Sequence, residues 1–296
     1  MTLIICKKID NQIIIKSDTL IAGPDKFTIK DNTYQGLKVF FIGKLFCLAY
    51  SGTQEYAHRI IKIVNEKHKT FKNAIEMAEF ICSLKDNHFN KDSTVIREFP
   101  DFIIVSSEIN EKIIEIKGNC KPKEKDNSSW IGSFKGFENF QKNFNNKEIK
   151  KSIDENFHYS FNKVIENDEI SDVGGNLVTI ICDRKGFRYQ PYLQLTSPNY
   201  IVEPPIPSKD DPNWATIQWG SDVTGGFGFT TVTPVEFSMN SFGIYYFQGK
   251  FGFLFYCDIE NDRCEKLTAC ASNVEEFINI LFEETKINFE YCGSLS

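Results

Sequence analysis

Residues 2–19 read TLIICKKIDNQIIIKSDT: two apolar runs, Leu3–Ile9 and Ile13–Ser17, separated by Asp10-Asn11, with Thr2 at one end and Asp18 at the other. Isoleucine-rich runs of this length around an Asp-Asn pair predict two antiparallel strands joined by a tight turn. Their apolar residues run together rather than alternating, which predicts strands buried on both faces. Across a two-residue turn Thr2 falls opposite Thr19, and Asp18 lies within one residue of being its neighbour. The hairpin thus brings a hydroxyl and a carboxylate to its open end. A secretory signal would place a charged stretch first and end at small residues, so none is expected here.

A second hairpin repeats the arrangement. Leu37–Ile42 and Leu45–Ser51 flank Gly43-Lys44. A two-residue turn there sets Lys38 across from Ala49 and puts Gly52 just past the same end. Helices follow over Gln54–His68, with Ile60, Ile61, Ile63 and Val64 as an apolar stripe, and over Phe71–Leu84, through Ala74, Met77, Ala78 and Ile81. Asp101–Ser106 and Lys112–Ile116 read as a hairpin around EINE, and the lysine-rich CKPKEKDNSS as a solvated loop. Helical periodicity returns from about Lys135 to Asn167, broken near Asn145, before the strand signals GGNLVTIICD and GFRYQPYLQL.

This order predicts an α+β fold: a four-layer αββα sandwich, with helices on the outer faces of two packed sheets. The stretch SPNYIVEPPIPSKDDPNW carries five prolines and marks an irregular crossing, dividing the chain into residues 1–195 and a β-rich extension, 196–296. Beyond it, GGFGFTTVTPVEF and FGIYYFQGKFGFLFYCDI are aromatic, glycine-punctuated strands. Ser272-x-x-Glu275 predicts a capping box for a closing helix with Val274, Phe277, Ile278 and Leu281 on one face.

A net charge of −6 argues against a nucleic-acid partner. No apolar stretch approaches the roughly 18–20 residues that span a bilayer, so no membrane association is expected. The nine cysteines are odd in number and scattered, with Cys6, Cys47, Cys82 and Cys182 inside apolar runs. That pattern predicts reduced, buried thiols and a cytoplasmic protein. Cys257, Cys264 and Cys270 lack zinc-type spacing and the four histidines are dispersed, so neither a metal nor another cofactor is expected. TGGFGF lacks the lysine of a phosphate-binding loop.

The two hairpin ends together have a chemical reading. If Met1 is removed, as a small second residue permits, the Thr2 hydroxyl becomes a nucleophile. Its own α-amine, with an ordinary pKa of about 7.7–8.0, can accept the proton. An ammonium such as Lys38 would favour the alkoxide, Asp18 could supply the counter-charge for a buried lysine, and the Gly52 amide could stabilise an oxyanion.

These residues carry a resemblance. Thr2 followed by IIIKSDT resembles the opening of proteasome β subunits and their bacterial relatives, the N-terminal-nucleophile threonine peptidases. LKVFFIGKLFCLAYSG is similar to the family segment in which a lysine precedes the oxyanion-hole glycine by fourteen residues, the separation of Lys38 and Gly52. WIGS is similar to the stretch with the helix-initiating glycine and catalytic serine, here Gly132 and Ser133; DEIS resembles the family's D-x-x-S, here Asp168 and Ser171; DVGGNLVTI resembles the strand that follows. The resemblance spans about residues 2–190.

It implies that Thr2 is nucleophile and base, that Asp18 and Lys38 form the charge pair beside it, and that Gly52 is the oxyanion donor. Ser133, Asp168 and Ser171 would orient the amine and a water. Ile21, Ala22 and Tyr50 would line the substrate site, with Tyr50 making the first side-chain pocket shallow. A peptide or unfolded-protein substrate, a homo-oligomeric ring and an ATP-dependent unfoldase partner are also implied. Departures are Phe134 after the serine, where a small residue is usual, and Ala22, where the family has threonine or serine. In isolation Ser133 reads as a helix N-cap, Asp168 as an exposed helix end and Lys38 as a solvated strand residue. The sequence thus points to a threonine-type endopeptidase. Its rivals are an inactive assembly or binding module on the same fold, and an N-terminal-nucleophile amidase acting on small amides.

Overall fold

In the first hairpin, β1 (Leu3–Ile9) and β2 (Gln12–Asp18) pair antiparallel, with Ile9 opposite Gln12 and Ile4 opposite Ser17. Asp10-Asn11 is therefore the two-residue turn, and Asp10 takes the left-handed conformation (φ +52°) that aspartate tolerates better than most residues. The computed structural model describes residues 2–21, 35–84, 99–107, 112–118, 121–146, 151–183, 185–195, 201–202, 206–207, 215–216, 219–220, 228–247, 249–259 and 263–292. They fall into two compact units, Met1–Phe187 and Arg188–Ser296. The EINE turn and most of the proline-rich stretch lie outside the described residues.

The first unit continues through β3 (Val39–Ile42), β4 (Phe46–Ser51), α1 (Gln54–Glu66), α2 (Ala74–Leu84), β5 (Asp101–Ser106), β6 (Ile113–Ile116), β7 (Lys123–Lys125) and β8 (Ser128–Gly132). Then come α3 (Phe134–Phe144), α4 (Ile153–Ile165) and β9 (Leu177–Asp183), and β10 (Gly186–Tyr189) runs through the point in the chain where the second unit begins. Two five-stranded sheets result, ordered β10-β9-β2-β1-β8 and β3-β4-β5-β6-β7. The β1–β2, β1–β8, β2–β9, β3–β4, β4–β5, β5–β6 and β6–β7 pairings are antiparallel, so this is a mixed α/β architecture built on antiparallel sheets. The sheets meet through β1 with β4 and through β8 with β4, β5 and β6. Helices α1 and α2 lie against β4, β5 and β6, whereas α4 lies against β2 and β9 and carries α3 beside it. Covered on both faces, β3 and β4 are buried at every position, which is why their sequences do not alternate.

Local chemistry moves several boundaries. Helix α2 begins at Ala74 rather than Phe71 because the Asn73 side chain caps it, accepting the Glu76 amide at 2.9 Å. The lysine-rich segment expected as a loop contains β7, an edge strand whose charges suit a sheet margin. Helix α4 starts at a capping box made by Ser152 and Glu155.

In the second unit, strands Leu193–Leu195, Gly228–Pro234, Ser241–Tyr246, Phe251–Asp258 and Arg263–Cys270 lie in that order, with Phe289–Tyr291 also pairing on Gly228–Pro234. Helix α5 (Val274–Thr285) sets Val274, Phe277 and Leu281 against Val232, Tyr245 and Leu254. Its cap falls one residue later than the sequence suggested. Asn273 accepts the Glu276 amide at 2.8 Å, and Glu276 reaches back to the Ser272 amide at 2.7 Å. Reduced thiols throughout are not what is found: Cys257 is disulfide-bonded, and strand register puts Cys264 directly across from it. A hairpin brings those two positions together, which their spacing alone does not reveal. No helix among the described residues is long and apolar enough to cross a membrane.

One buried charge on β2 gives a stability signature. Lys16 is buried, donates to Thr179 Oγ1 at 3.2 Å and lies 5.1 Å from the Phe157 ring centroid. Burial lowers its pKa to about 8, partly offset by Asp154. Its folded pKa lies below its unfolded one, so between pH 8 and 10.5 the unfolded chain holds the extra proton and stability rises with pH. In urea denaturation, Lys16→Met should therefore exceed wild type in stability most at pH 7. That gap should narrow by on the order of 3 kcal/mol as the pH passes through this window.

Candidate active site

Three chain segments converge at the open end of the first hairpin: Thr2 ahead of β1, Asp18 closing β2, and Lys38 ahead of β3, all buried. The Thr2 hydroxyl donates to Asp18 Oδ1 and accepts from Lys38 Nζ at 2.6 Å. Lys38 also donates to the Leu20 carbonyl and lies 3.0 Å from Asp18 Oδ1. Its three N–H donors thus meet three acceptors. Asp18 further accepts the Leu3 amide at 3.0 Å and the Gly174 amide at 3.2 Å. Burial lowers the lysine's pKa, while Asp18 and, more weakly, Asp172 oppose that shift. A hydroxyl held between an ammonium and a carboxylate is placed to lose its proton and to have the resulting negative charge stabilised.

Ser133 touches Thr2 and caps its own helix. Its amide donates to the Thr2 carbonyl at 2.6 Å, and its hydroxyl oxygen accepts the Gly136 amide at 3.0 Å as the N-cap of α3. The expected N-cap is therefore observed, and the same residue's amide contacts Thr2. Gly132 makes the approach possible. It sits at φ +98°, and a Cβ there would lie 1.9 Å from the Thr2 carbonyl oxygen, so only glycine fits. Gly52 is exposed just past β4 at φ +118°. Its neighbour Ser51 brings Oγ within 3.0 Å of that same Gly132 Cβ position, which puts the end of β4 beside Thr2.

The second hairpin differs from its expected register. Val39, not Lys38, pairs with Ala49, because Gly43, Lys44 and Leu45 together form a three-residue loop in which Leu45 is exposed. Lys38 instead faces Tyr50, whose amide donates to its carbonyl at 2.9 Å. Tyr50 thereby shares a sheet face with Lys38. Burial, and then the charge of Asp18, push its phenol pKa up. Its hydroxyl lies 3.5 Å from His58 Nε2, and its ring stacks on Phe40 at 6.2 Å. Ile21 is half-buried next to Leu20, with its Cδ1 against Gly36. Ala22 lies outside the described residues.

Asp168 and Ser171 do not join the centre. Both are exposed on the turn after α4, because the buried Ile170 and Val173 take the inward positions. The carboxylate that reaches Ser133 is Asp172, accepting its hydroxyl at 3.0 Å. A second unanticipated group is a polar clamp around Gln35. Gln35 Oε1 accepts Thr19 Oγ1 at 2.6 Å and Asn176 Nδ2 at 2.9 Å, and Thr19 Oγ1 accepts the Asn176 amide at 2.8 Å. This clamp ties together the segments that carry Asp18, Lys38 and Gly174. The only sequence signal for Asp172 was an acid directly ahead of Val173-Gly174-Gly175, and for the clamp there was none.

No protein-family model matches this chain, and no curated protein does. Among solved structures, the chain is similar to the crystal structure of eukaryotic HslV from Trypanosoma brucei, at 14% identity and a TM-score of 0.46, over 61% of this chain and 98% of that one.

The buried pair makes a direct prediction. Asp18→Asn leaves Lys38 without its counter-charge and should cost about 3–5 kcal/mol in urea denaturation. Adding Lys38→Met to that variant should recover most of the loss, since a buried pair replaced on both sides is near neutral.

Proposed function

We propose that the first unit is a four-layer αββα N-terminal-nucleophile hydrolase domain, and that the chain is a threonine-type peptidase acting through Thr2. The observation that carries this reading is the buried Thr2 hydroxyl, bonded at once to Lys38 and Asp18. Isolated hydroxyls need activation to attack an amide, and these partners supply it without a histidine.

In this reading Met1 is removed and the freed α-amine of Thr2, with an ordinary pKa of about 7.7–8.0, takes the hydroxyl proton as Oγ attacks the scissile carbonyl. Lys38 stabilises the developing alkoxide, and Asp18 keeps that lysine charged inside the fold. The oxyanion of the tetrahedral intermediate is met by the Gly52 amide. Collapse breaks the C–N bond, and the departing amine collects its proton from the Thr2 ammonium. The remaining ester is cleaved by water, which gives a proton to the same amine, and the Thr2 hydroxyl is restored when the ester bond breaks.

Ser133 orients the amine. Tyr50, on the face of Lys38, narrows the pocket for the residue preceding the scissile bond, and Ile21 and Ala22 are the residues this reading assigns to the substrate backbone. The same reading carries a peptide or unfolded-protein substrate, a homo-oligomeric ring and an ATP-dependent unfoldase. Phe134 on α3, 63% exposed, and Ile153 on α4, 55% exposed, are apolar surface that self-association would bury. A non-catalytic module on the same fold draws support from Phe134, the bulky residue that follows Ser133.

A panel of fluorogenic peptides and small acyl amides separates these readings. Wild type should cleave peptides, Thr2→Ala should fall to background, and Lys38→Ala should lose about 10²–10³-fold. Equal turnover by wild type and Thr2→Ala would point to the non-catalytic module. Cleavage restricted to small amides would point to an amidase.

A further inference from the structure

We propose that Gln35 is a positioning residue of this site: through Thr19 and Asn176 it fixes the Leu20 carbonyl that aims the Lys38 ammonium at the Thr2 hydroxyl. This role presupposes the peptidase reading above. A lysine carries its ammonium on a flexible four-carbon stem, so the group keeps one direction only where its N–H donors are all held. Two acceptors of Lys38, the Thr2 hydroxyl and Asp18, stand at the open end of the first hairpin. The third, the Leu20 carbonyl, lies past the end of β2. The ladder between β1 and β2 therefore does not set its direction.

Other contacts do. The Leu20 amide donates to the Gly174 carbonyl at 3.1 Å, the Gly36 amide donates to the Thr19 carbonyl at 2.9 Å, and Leu20 and Gln35 form an antiparallel bridge. Side chains lock these peptides together. Gln35 Oε1 accepts Thr19 Oγ1 at 2.6 Å and Asn176 Nδ2 at 2.9 Å, and Thr19 Oγ1 accepts the Asn176 amide at 2.8 Å. All three residues are buried. One oxygen of Gln35 thus joins the residue before Leu20 to the residue two places after Gly174. Gly174 in turn gives its amide to Asp18 Oδ2 at 3.2 Å, so each member of the ion pair is bonded to a peptide that this clamp holds. Gly175 leaves the space for it. That residue sits at φ +73°, and a Cβ there would lie 2.4 Å from Thr19 Oγ1 and 3.3 Å from Gln35 Cδ.

The clamp is built from uncharged side chains, so it orders these segments without offering Lys38 a second counter-ion. If it were cut, the Leu20 peptide could turn, one N–H of Lys38 would lose its acceptor, and the ammonium could swing away from Thr2 Oγ1. A displacement of about 1 Å in a group of this kind costs on the order of 10²-fold in rate.

The test is the labelling of Thr2 by an epoxyketone, followed by intact mass over a range of reagent concentrations. Wild type is compared with Gln35→Leu, Thr19→Val, Thr19→Ser and the Gln35→Leu/Thr19→Val double variant, and each is also unfolded in urea. Gln35→Leu and Thr19→Val should each lower the limiting rate by about 10–10²-fold. The half-saturating reagent concentration should stay within about twofold of wild type, because the clamp acts on orientation. The double variant should be slower than the worse single one by less than about threefold, since both changes cut the same bond. Thr19→Ser, which keeps the hydroxyl, should restore the rate to within about threefold of wild type. Thr19→Val keeps the volume of threonine and carries the test should Gln35→Leu fail to fold.

A clamp that served stability alone would lower the urea midpoint and leave the limiting rate unchanged; that result would overturn the inference while leaving the peptidase reading in place. Single effects that multiply fully in the double variant would overturn it too. Wild type that forms no Thr2 adduct would bring down the peptidase reading, and this inference with it.

Discussion

The buried ion pair of Lys38 and Asp18 is the constraint around which the first unit is organised. A lysine and an aspartate with 5% and 0% of their side chains exposed, 3.0 Å apart, are tolerated only when each remaining hydrogen-bonding position is filled. Here the filling comes from distant parts of the chain. Leu20 and Thr2 supply acceptors to the lysine, and Leu3 and Gly174 supply amides to the aspartate. The pair therefore couples the first hairpin, the start of the second sheet and the turn before β9. The Thr2 hydroxyl is one of the groups satisfying it, so in the proposed function the stability of the pair and the activation of Thr2 rest on the same set of bonds.

Close backbone approach supports this arrangement. The Ser133 amide closes on the Thr2 carbonyl only because Gly132 carries no Cβ and adopts a left-handed conformation. Ser133 then initiates α3, so the helix that covers one sheet begins at the residue that contacts the centre. The clamp of Thr19, Gln35 and Asn176 holds the Leu20 and Gly174 segments that bond the ion pair. Buried polar networks of this kind are rigid when every member is satisfied.

Much of this was legible in the sequence wherever a short-range rule governed it. Asp10-Asn11 set the first hairpin, and the register brought Thr2 and Asp18 together as expected. The second turn is one residue longer than the sequence reads, because Leu45 is apolar enough to read as strand although it sits exposed in the loop. That single residue exchanged Ala49 for Tyr50 opposite Lys38. Helix starts shifted to where an asparagine caps, at Asn73 and, one residue past the expected Ser272, at Asn273. Asp168 and Ser171 matched a motif, but motif spacing does not encode which side of a turn faces inward; Ile170 and Val173 settle that through burial. The Gln35 clamp and the disulfide at Cys257 depend on contacts between positions paired only by the fold.

The proposed chemistry requires that Thr2 become the N-terminal residue and act as the nucleophile. Its most direct test is the intact mass of the purified, untagged protein before and after treatment with a threonine-directed epoxyketone. The expected result is a mass lacking Met1 and a single adduct that disappears in Thr2→Ala. A protein that keeps Met1 and takes up no adduct would contradict it, because the retained residue would acylate the amine on which the chemistry depends.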